Sequence, residues 1–150
     1  MKQLIGIIGA GQCDNLIYKV ARETGAEAAQ SGYGIVCGGL GGVMEAAARG
    51  CKENGGLTVG IIPQEKAGFA NEFIDIVIPT GMGIMRNLLV VRSAAGLIAI
   101  DGKYGTLSEI AFALQLGKPL VGLETWDISE QIETAENPVQ AVDKLVKMIS

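Results

Sequence analysis

An α/β fold, with a doubly wound, predominantly parallel sheet of six or seven strands and helices on both faces, is predicted by three observations. Short apolar runs alternate with amphipathic stretches along the whole chain. The apolar runs are continuous, as in strands buried on both faces, and do not alternate with polar residues. Glycine-rich turns follow most of these runs, where a strand would hand over to a helix.

The elements follow in order. "LIGIIGAG" reads as a buried strand ending in glycines. Asp14 is placed to cap the next helix, whose Leu16, Ile17, Val20 and Ala21 are expected on one face. "YGIVCGG" is a second strand, and "GVMEAAARGCKENGG" a second helix stopped by glycines. "LTVGIIP" and "FIDIVIP" are two strands closed by prolines, separated by an irregular loop or short helix from Gln64 to Glu72. "GIMRNLLVVRSA" reads as a helix and "GLIAI" as a buried strand. The helix after "DGKYGT" is expected to bury Leu107, Ile110, Ala111 and Leu114, which share the helical spacing. "PLVGL" is a sixth strand, and the acidic stretch from Thr125 to Asn137 reads as a mobile surface loop. "PVQAVDKLVKMIS" closes the chain as a helix, with Pro138 in its first turn and Val139, Val142, Val146 and Ile149 on one face.

A length of 150 residues without a composition shift or repeat predicts one domain spanning residues 1–150. A net charge of −4 without a basic run argues against a nucleic-acid partner, whose phosphates need cationic neutralisation. No apolar stretch reaches the length of a membrane span, and no signal-peptide pattern opens the chain, so a cytoplasmic protein is expected. Cys13, Cys37 and Cys51 have no metal-ligand spacing; they read as reduced packing thiols, and no metal site is expected. Histidine is absent, so acid–base work would fall to carboxylates, lysine, tyrosine, cysteine or water.

Ligands of such sheets bind beyond the carboxyl ends of the strands. Four glycine-rich turns meet at that edge: "GAGQCD" with Gly9 and Gly11, "CGGLGG" with Gly38, Gly39, Gly41 and Gly42, "IPTGMG" with Thr80 and Gly81, and "DGKYGT". Glycine admits backbone close to a ligand, and helix N-termini offer unpaired N–H groups to an anion. A standard dinucleotide site does not fit, because Asp14 stands where the third glycine of G-x-G-x-x-G belongs and no acidic residue ends the second strand. There is also no P-loop. The turns therefore point to a small phosphorylated ligand.

The same residues carry a family resemblance. Asp101 to Glu109 resembles the P-G-G-x-G-T-x-x-E signature of the Rossmann-like LOG, or "lysine decarboxylase-like", phosphoribohydrolases, and "GGLGGVM" resembles their earlier glycine segment. "IGIIGAG", "GGVMEAAARGCKENGG" followed by "TVGIIP", and "IPTGMGIMRNLLVVRSAAGLIAI" look more like the molybdenum cofactor carrier protein family. Two departures separate the chain from the LOG pattern: "GIMRN" replaces M-H-E-R-K, and Asp101 replaces the first proline of the signature. The resemblance implies a carrier-type binding protein for a phosphorylated nucleotide or pterin, with the molybdenum cofactor or a nucleotide as bound ligand and no cofactor needed for folding. It also implies a homodimer or homotetramer. The alternative is a LOG-type enzyme that cleaves the N-glycosidic bond of a nucleoside 5′-monophosphate, with Arg86 and Glu109 as its catalytic pair. A decarboxylase is rejected, because nothing suggests the lysine environment of a pyridoxal phosphate enzyme.

Within the "DGKYGT" turn, Asp101, Gly102, Lys103, Tyr104, Gly105 and Thr106 are expected to wrap an anion. The N–H groups of Gly105 and Thr106 and the Thr106 hydroxyl are the donors, and Arg86, with Asn87 beside it, approaches from the neighbouring helix. Lys103 reads equally as a point charge for phosphate or as a polar turn residue. Tyr104 reads as a stacking ring or as packing on a neighbouring loop, and Trp126 as part of an interface or lid. Thr106-Leu107-Ser108-Glu109 fits a T-x-x-E capping box, so Glu109 is expected to serve as a cap. Leu88, Leu89, Val90 and Val91 in succession exceed what one helix face can hide and are expected to bury partly against a second subunit.

Overall fold

The computed structural model describes residues 3–150. Seven strands form one sheet: β1 (Leu4–Gly9), β2 (Gly34–Cys37), β3 (Thr58–Ile62), β4 (Ile76–Pro79), β5 (Gly96–Ile100), β6 (Leu120–Leu123) and β7 (Glu133–Thr134). Among the described residues five α-helices accompany them: α1 (Asn15–Gln30), α2 (Val43–Glu53), α3 (Asn87–Ser93), α4 (Tyr104–Gln115) and α5 (Pro138–Ile149), with short 3-10 turns at Ala67–Phe69 and Gly83–Arg86. The strand order is β4-β3-β2-β1-β5-β6-β7, and every neighbouring pair is parallel. This is the predicted Rossmann-like sheet. Among the described residues no helix is long and apolar enough to cross a membrane.

Alternate residues of each central strand feed two cores. Ile5, Ile7, Ile35, Cys37, Ile98 and Ile100 pack with the inner faces of α1, α2 and α5. Ile8, Val36, Leu97 and Ala99 pack on the opposite face with Val90, Val91, Ile110 and Ala113 of α3 and α4. Strands buried on both sides need no polar alternation, which is why they read as continuous apolar runs. The chain winds outward from β1 through β2 and β3 to β4, then returns to place β5 on the other side of β1. The connections leaving β1 and β5 therefore part company, and a crevice opens between their carboxyl ends.

Helix entry follows the local chemistry. Asp14 accepts the Ile17 N–H at 2.8 Å, and Asn137 accepts the Gln140 N–H at 2.8 Å, with Pro138 in the first turn of α5. The buried faces differ from the expected ones at three helices. Leu16 is exposed, and α1 turns Ile17, Ala21, Thr24, Gly25 and Ala28 inward. Val139 is exposed, and α5 buries Ala141, Val142 and Leu145. On α4, Ala111 is exposed and Leu107 and Leu114 are half-buried, whereas Thr106, Glu109, Ile110 and Ala113 are buried. Adjacent residues lie about 100° apart on a helix, so a one-residue error rotates a face out of contact. The stretch after β6 is also more than a surface loop, since it supplies β7 and buries Ile132.

Candidate functional site

The crevice between the ends of β1 and β5 is a cleft of about 640 Å³. Its wall is formed by Gly9, Ala10, Gly11 and Gln12 after β1, by Gly38, Leu40 and Gly41 after β2, and by Met44 on α2. Pro63 after β3 and Ile84, Arg86 and Asn87 from the approach to α3 close one side; Lys103, Gly105, Thr106 and Glu109 of the β5–α4 connection close the other. Of the residues expected to bind ligand, Gly9, Gly11, Gly38, Gly41, Arg86, Asn87, Lys103, Gly105 and Thr106 line this space. Gly39, Gly42, Thr80, Gly81, Asp101, Gly102 and Tyr104 lie outside the lining and shape the turns behind it. Thr80, for example, donates its hydroxyl to the Ile62 carbonyl at 2.7 Å and accepts the Met82 N–H at 3.2 Å.

Arg86 is only 8% exposed although it carries a full charge. Burial on that scale is tolerated because backbone acceptors surround the guanidinium. Its Nε donates to the Ile61 carbonyl at 2.9 Å, its Nη2 to the Gly38 carbonyl at 3.4 Å, and its Nη1 to Asn87 Oδ1. The side chain is thereby tied to the ends of β2 and β3. Asn87 is held in turn, donating its Nδ2 to Ser108 Oγ at 3.1 Å, while Ser108 donates to the Gly105 carbonyl at 2.6 Å. A single chain of hydrogen bonds thus links Arg86 to the first turn of α4.

That first turn is set by strain absorbed just before it. Asp101 has a φ of 50° and Gly102 a φ of 105°, two successive left-handed residues. Asp tolerates this region better than most side chains, and glycine enters it freely. A Cβ at position 102 would also lie 2.4 Å from the Thr106 side chain. The loop after β6 clamps the turn from outside: Thr125 Oγ1 donates to the Asp101 carbonyl at 2.6 Å, and Trp126 Nε1 donates to the Lys103 carbonyl at 3.0 Å. The Trp126 ring stacks on Tyr104 with centroids 6.3 Å apart. Trp126 is therefore a brace for the turn within its own chain.

The early turn changes the role open to Glu109. Helix α4 begins at Tyr104, with Lys103 at the N-cap position and no side-chain cap. A capping box needs its threonine at the N-cap and its glutamate three residues on. Thr106 is instead the third residue of the helix, which places Glu109 in the second turn, facing inward. The capping reading is overturned. Glu109 is 7% exposed, lines the cleft, and has no hydrogen bond or close ion pair among the described residues.

The electrostatics follow from this placement. Burial pushes the Glu109 carboxyl up to about 8, with Arg86 opposing the rise. Burial pulls Arg86 down from its ordinary value, and Glu109 and Cys37 oppose that fall. The Cys37 thiol, enclosed under the cleft, is pushed up to about 12 by burial. At neutral pH the cleft thus combines a guanidinium, the Lys103 ammonium, a largely neutral carboxyl and the unpaired N–H groups of the first turn of α4. Such a surface suits an anion with hydrogen-bonding groups beside it.

Sequence reasoning missed Ile7, Ile8, Ala10, Gln12, Leu40, Met44, Pro63 and Ile84 in the lining. Gln12 and Leu40 lie inside the glycine turns "GAGQCD" and "CGGLGG", so their location is readable in the sequence. Met44 belongs to the "GGLGGVM" segment that carries the family resemblance. Pro63 follows β3 and lies at the carboxyl-end edge, whereas Ile84 reaches the cleft only because the chain returns from β4 towards β5.

A family model described as the SLOG cluster4 family matches residues 2–149. The chain belongs to the SLOG cluster4 family. An uncharacterized protein of Archaeoglobus fulgidus is 46% identical over 139 residues, covering 93% of this chain and 91% of that protein. Among solved structures, this SLOG cluster4 protein is similar to the molybdenum cofactor binding protein of the phototrophic bacterium Rippkaea orientalis. That likeness has a TM-score of 0.94 and 33% identity, and covers 100% of this chain and 99% of that one. It is also similar to the molybdenum cofactor carrier protein of Chlamydomonas reinhardtii, with a TM-score of 0.87 and 30% identity over 99% of this chain and 98% of the other.

Proposed function

We propose that this SLOG cluster4 protein is a cytoplasmic, carrier-type binding protein for a phosphorylated nucleotide or pterin, with the molybdenum cofactor as the leading ligand. The observation that carries the reading is the buried Arg86, aligned through Asn87 and Ser108 with the first turn of α4 across one cleft. A phosphate seated there meets the guanidinium, Lys103 and the N–H groups of Tyr104, Gly105 and Thr106. The rest of the cleft, with Gln12, Leu40 and Met44, takes the organic part. Among the described residues no group of three or more histidine, cysteine or carboxylate side chains is placed to hold a metal ion.

Arg86→Ala is expected to weaken binding of inorganic phosphate and AMP by about 1.5–3 kcal/mol, the worth of a charge-assisted hydrogen bond. Calorimetry measures it, and Arg86→Lys, which keeps the charge without the fork, should fall between the two. Unchanged affinity in Arg86→Ala would remove the anion site. Mass spectrometry of ligand co-purified with the protein then identifies the organic part.

One observation favours a second reading, cleavage of an N-glycosidic bond. A carboxyl neutral near pH 7 is a competent proton donor to a departing base, and Glu109 is such a group. Release of free base from a panel of nucleoside monophosphates, abolished in folded Glu109→Gln, would establish the enzyme and displace the carrier.

We also propose self-association. Val90 and Val91 are buried within their own chain, while Leu88 and Leu89 are half-buried. Exposed apolar surface adjoins them one turn earlier, at Ile84 (68% exposed), Met85 (64%) and Met82 (47%). Light scattering at micromolar concentration should report a dimer or tetramer, and Met85→Lys should shift it towards monomer; a monomeric wild type would refute the proposal.

A further inference from the structure

We propose that Glu109 works as a neutral carboxylic acid in ligand recognition, so that an anionic ligand enters the cleft together with a proton on this side chain. The inference rests on the anion-binding reading above and adds a residue, a protonation state and a measurable stoichiometry to it. The geometry carries it in three steps. Glu109 sits on the buried face of α4, lines the cleft and has no hydrogen bond to neutralise or fix it. Three of the five N–H groups of Arg86, the nearby cation, are taken by the Ile61 and Gly38 carbonyls and Asn87 Oδ1, and two remain for a ligand. Arg86 faces Glu109 without forming a close ion pair with it.

The third step is the charge balance. The charged side chains lining the cleft are Arg86, Lys103 and Glu109. The two cations match a phosphomonoester dianion only while Glu109 is uncharged. With Glu109 ionised, a bound dianion leaves a net negative charge beside a buried carboxylate, where repulsion is strong. Protonating Glu109 removes that repulsion and turns the carboxyl into a donor towards a ligand oxygen or ring nitrogen.

Among the described residues, Arg86 acts on Glu109 from the connection to α3 and Cys37 from the end of β2, while Lys103, at the start of α4, lines the same cleft. The Cys37 thiol, raised to about 12, keeps its proton throughout the relevant range. Glu109 itself, raised to about 8 in the free protein, is partly ionised just above neutrality. A bound dianion raises it further, so protons are taken up most strongly between the free and bound values.

The test is calorimetric titration of the whole protein with AMP, and with inorganic phosphate, at pH 8.5 in buffers of different ionisation enthalpy. The phosphate of AMP is fully ionised there, so uptake reports the protein. Wild type should take up about half a proton or more per AMP bound, and its Kd should rise several-fold from pH 8 to pH 9. Glu109→Gln should take up none and show a flat Kd over the same range. Infrared difference spectra of wild type give a readout without any variant: the protonated-carboxyl band should grow when AMP is added at pH 8.5. Binding without proton uptake, or equal uptake in Glu109→Gln, overturns this inference and leaves the anion site standing. Absence of binding by both ligands overturns the anion site and this inference together.

Discussion

Glu109→Gln should be more resistant to unfolding than wild type in alkaline solution, although it removes a charge next to Arg86. In the folded protein the carboxyl titrates at about 8, against 4.5 for an unperturbed group. Between those values the folded state holds a proton that the unfolded state has released. Stability from this group is therefore complete below pH 4.5 and is lost as pH rises through about 8. Each pH unit inside the window costs at most about 1.4 kcal/mol. From pH 6 to pH 8.5, wild type should lose roughly 2–3 kcal/mol that Glu109→Gln retains. Denaturant melts at the two pH values measure it. The other strongly displaced group, Cys37, keeps its proton up to about 12 and stays out of this window. Parallel pH profiles for the two proteins would show that Glu109 is an ordinary solvated carboxylate.

The second large effect concerns the scaffold that holds the cleft open. Helices α1 and α2 approach through glycine: a Cβ at Gly50 would lie 1.8 Å from the Arg22 carbonyl oxygen, and one at Gly25 would lie 2.0 Å from the Ala47 carbonyl oxygen. Helix propensity alone would have Gly50→Ala stabilise the protein by about 1 kcal/mol. The contact reverses the sign. Two rigid backbones must separate to admit the methyl, and overpacking of that kind costs about 3 kcal/mol or more at its upper end. Gly68→Ala is the control, because a Cβ there meets nothing within 4 Å and no left-handed φ is involved. Thermal melts of the two variants should differ widely. A Gly50→Ala protein as stable as Gly68→Ala would mean that α1 and α2 are not in backbone contact.

The pH behaviour and the cleft share an origin in α4. Its inner face carries Thr106 and Glu109 beside Ile110 and Ala113, so polar groups occupy positions that elsewhere hold aliphatic core. Proteins accept such buried polar groups where binding or chemistry returns the cost. Here the neighbouring Asn87 and Ser108 complete a hydrogen-bonded chain, while Glu109 is left unbonded. The exception marks the group most exposed to a ligand's influence.

By itself the sequence determined the sheet and the edge where ligands belong. Continuous runs such as "LIGIIG" and "GLIAI" can be satisfied only between two layers of helices, and glycine turns at their ends reveal the edge that helices leave. Asp14 and the Asn137–Pro138 pair made helix starts legible because capping is a local interaction. Only the tertiary structure decided what Arg86 and Glu109 do. Their spacing in the chain says nothing of the return from β4 to β5 that sets Arg86 beside the ends of β2 and β3. Nor does the T-x-x-E pattern show that the left-handed Asp101–Gly102 turn starts α4 two residues before Thr106. That shift turns a predicted surface cap into a buried acid, because burial is a property of the packed layers and a helix's phase against them is fixed outside its own sequence.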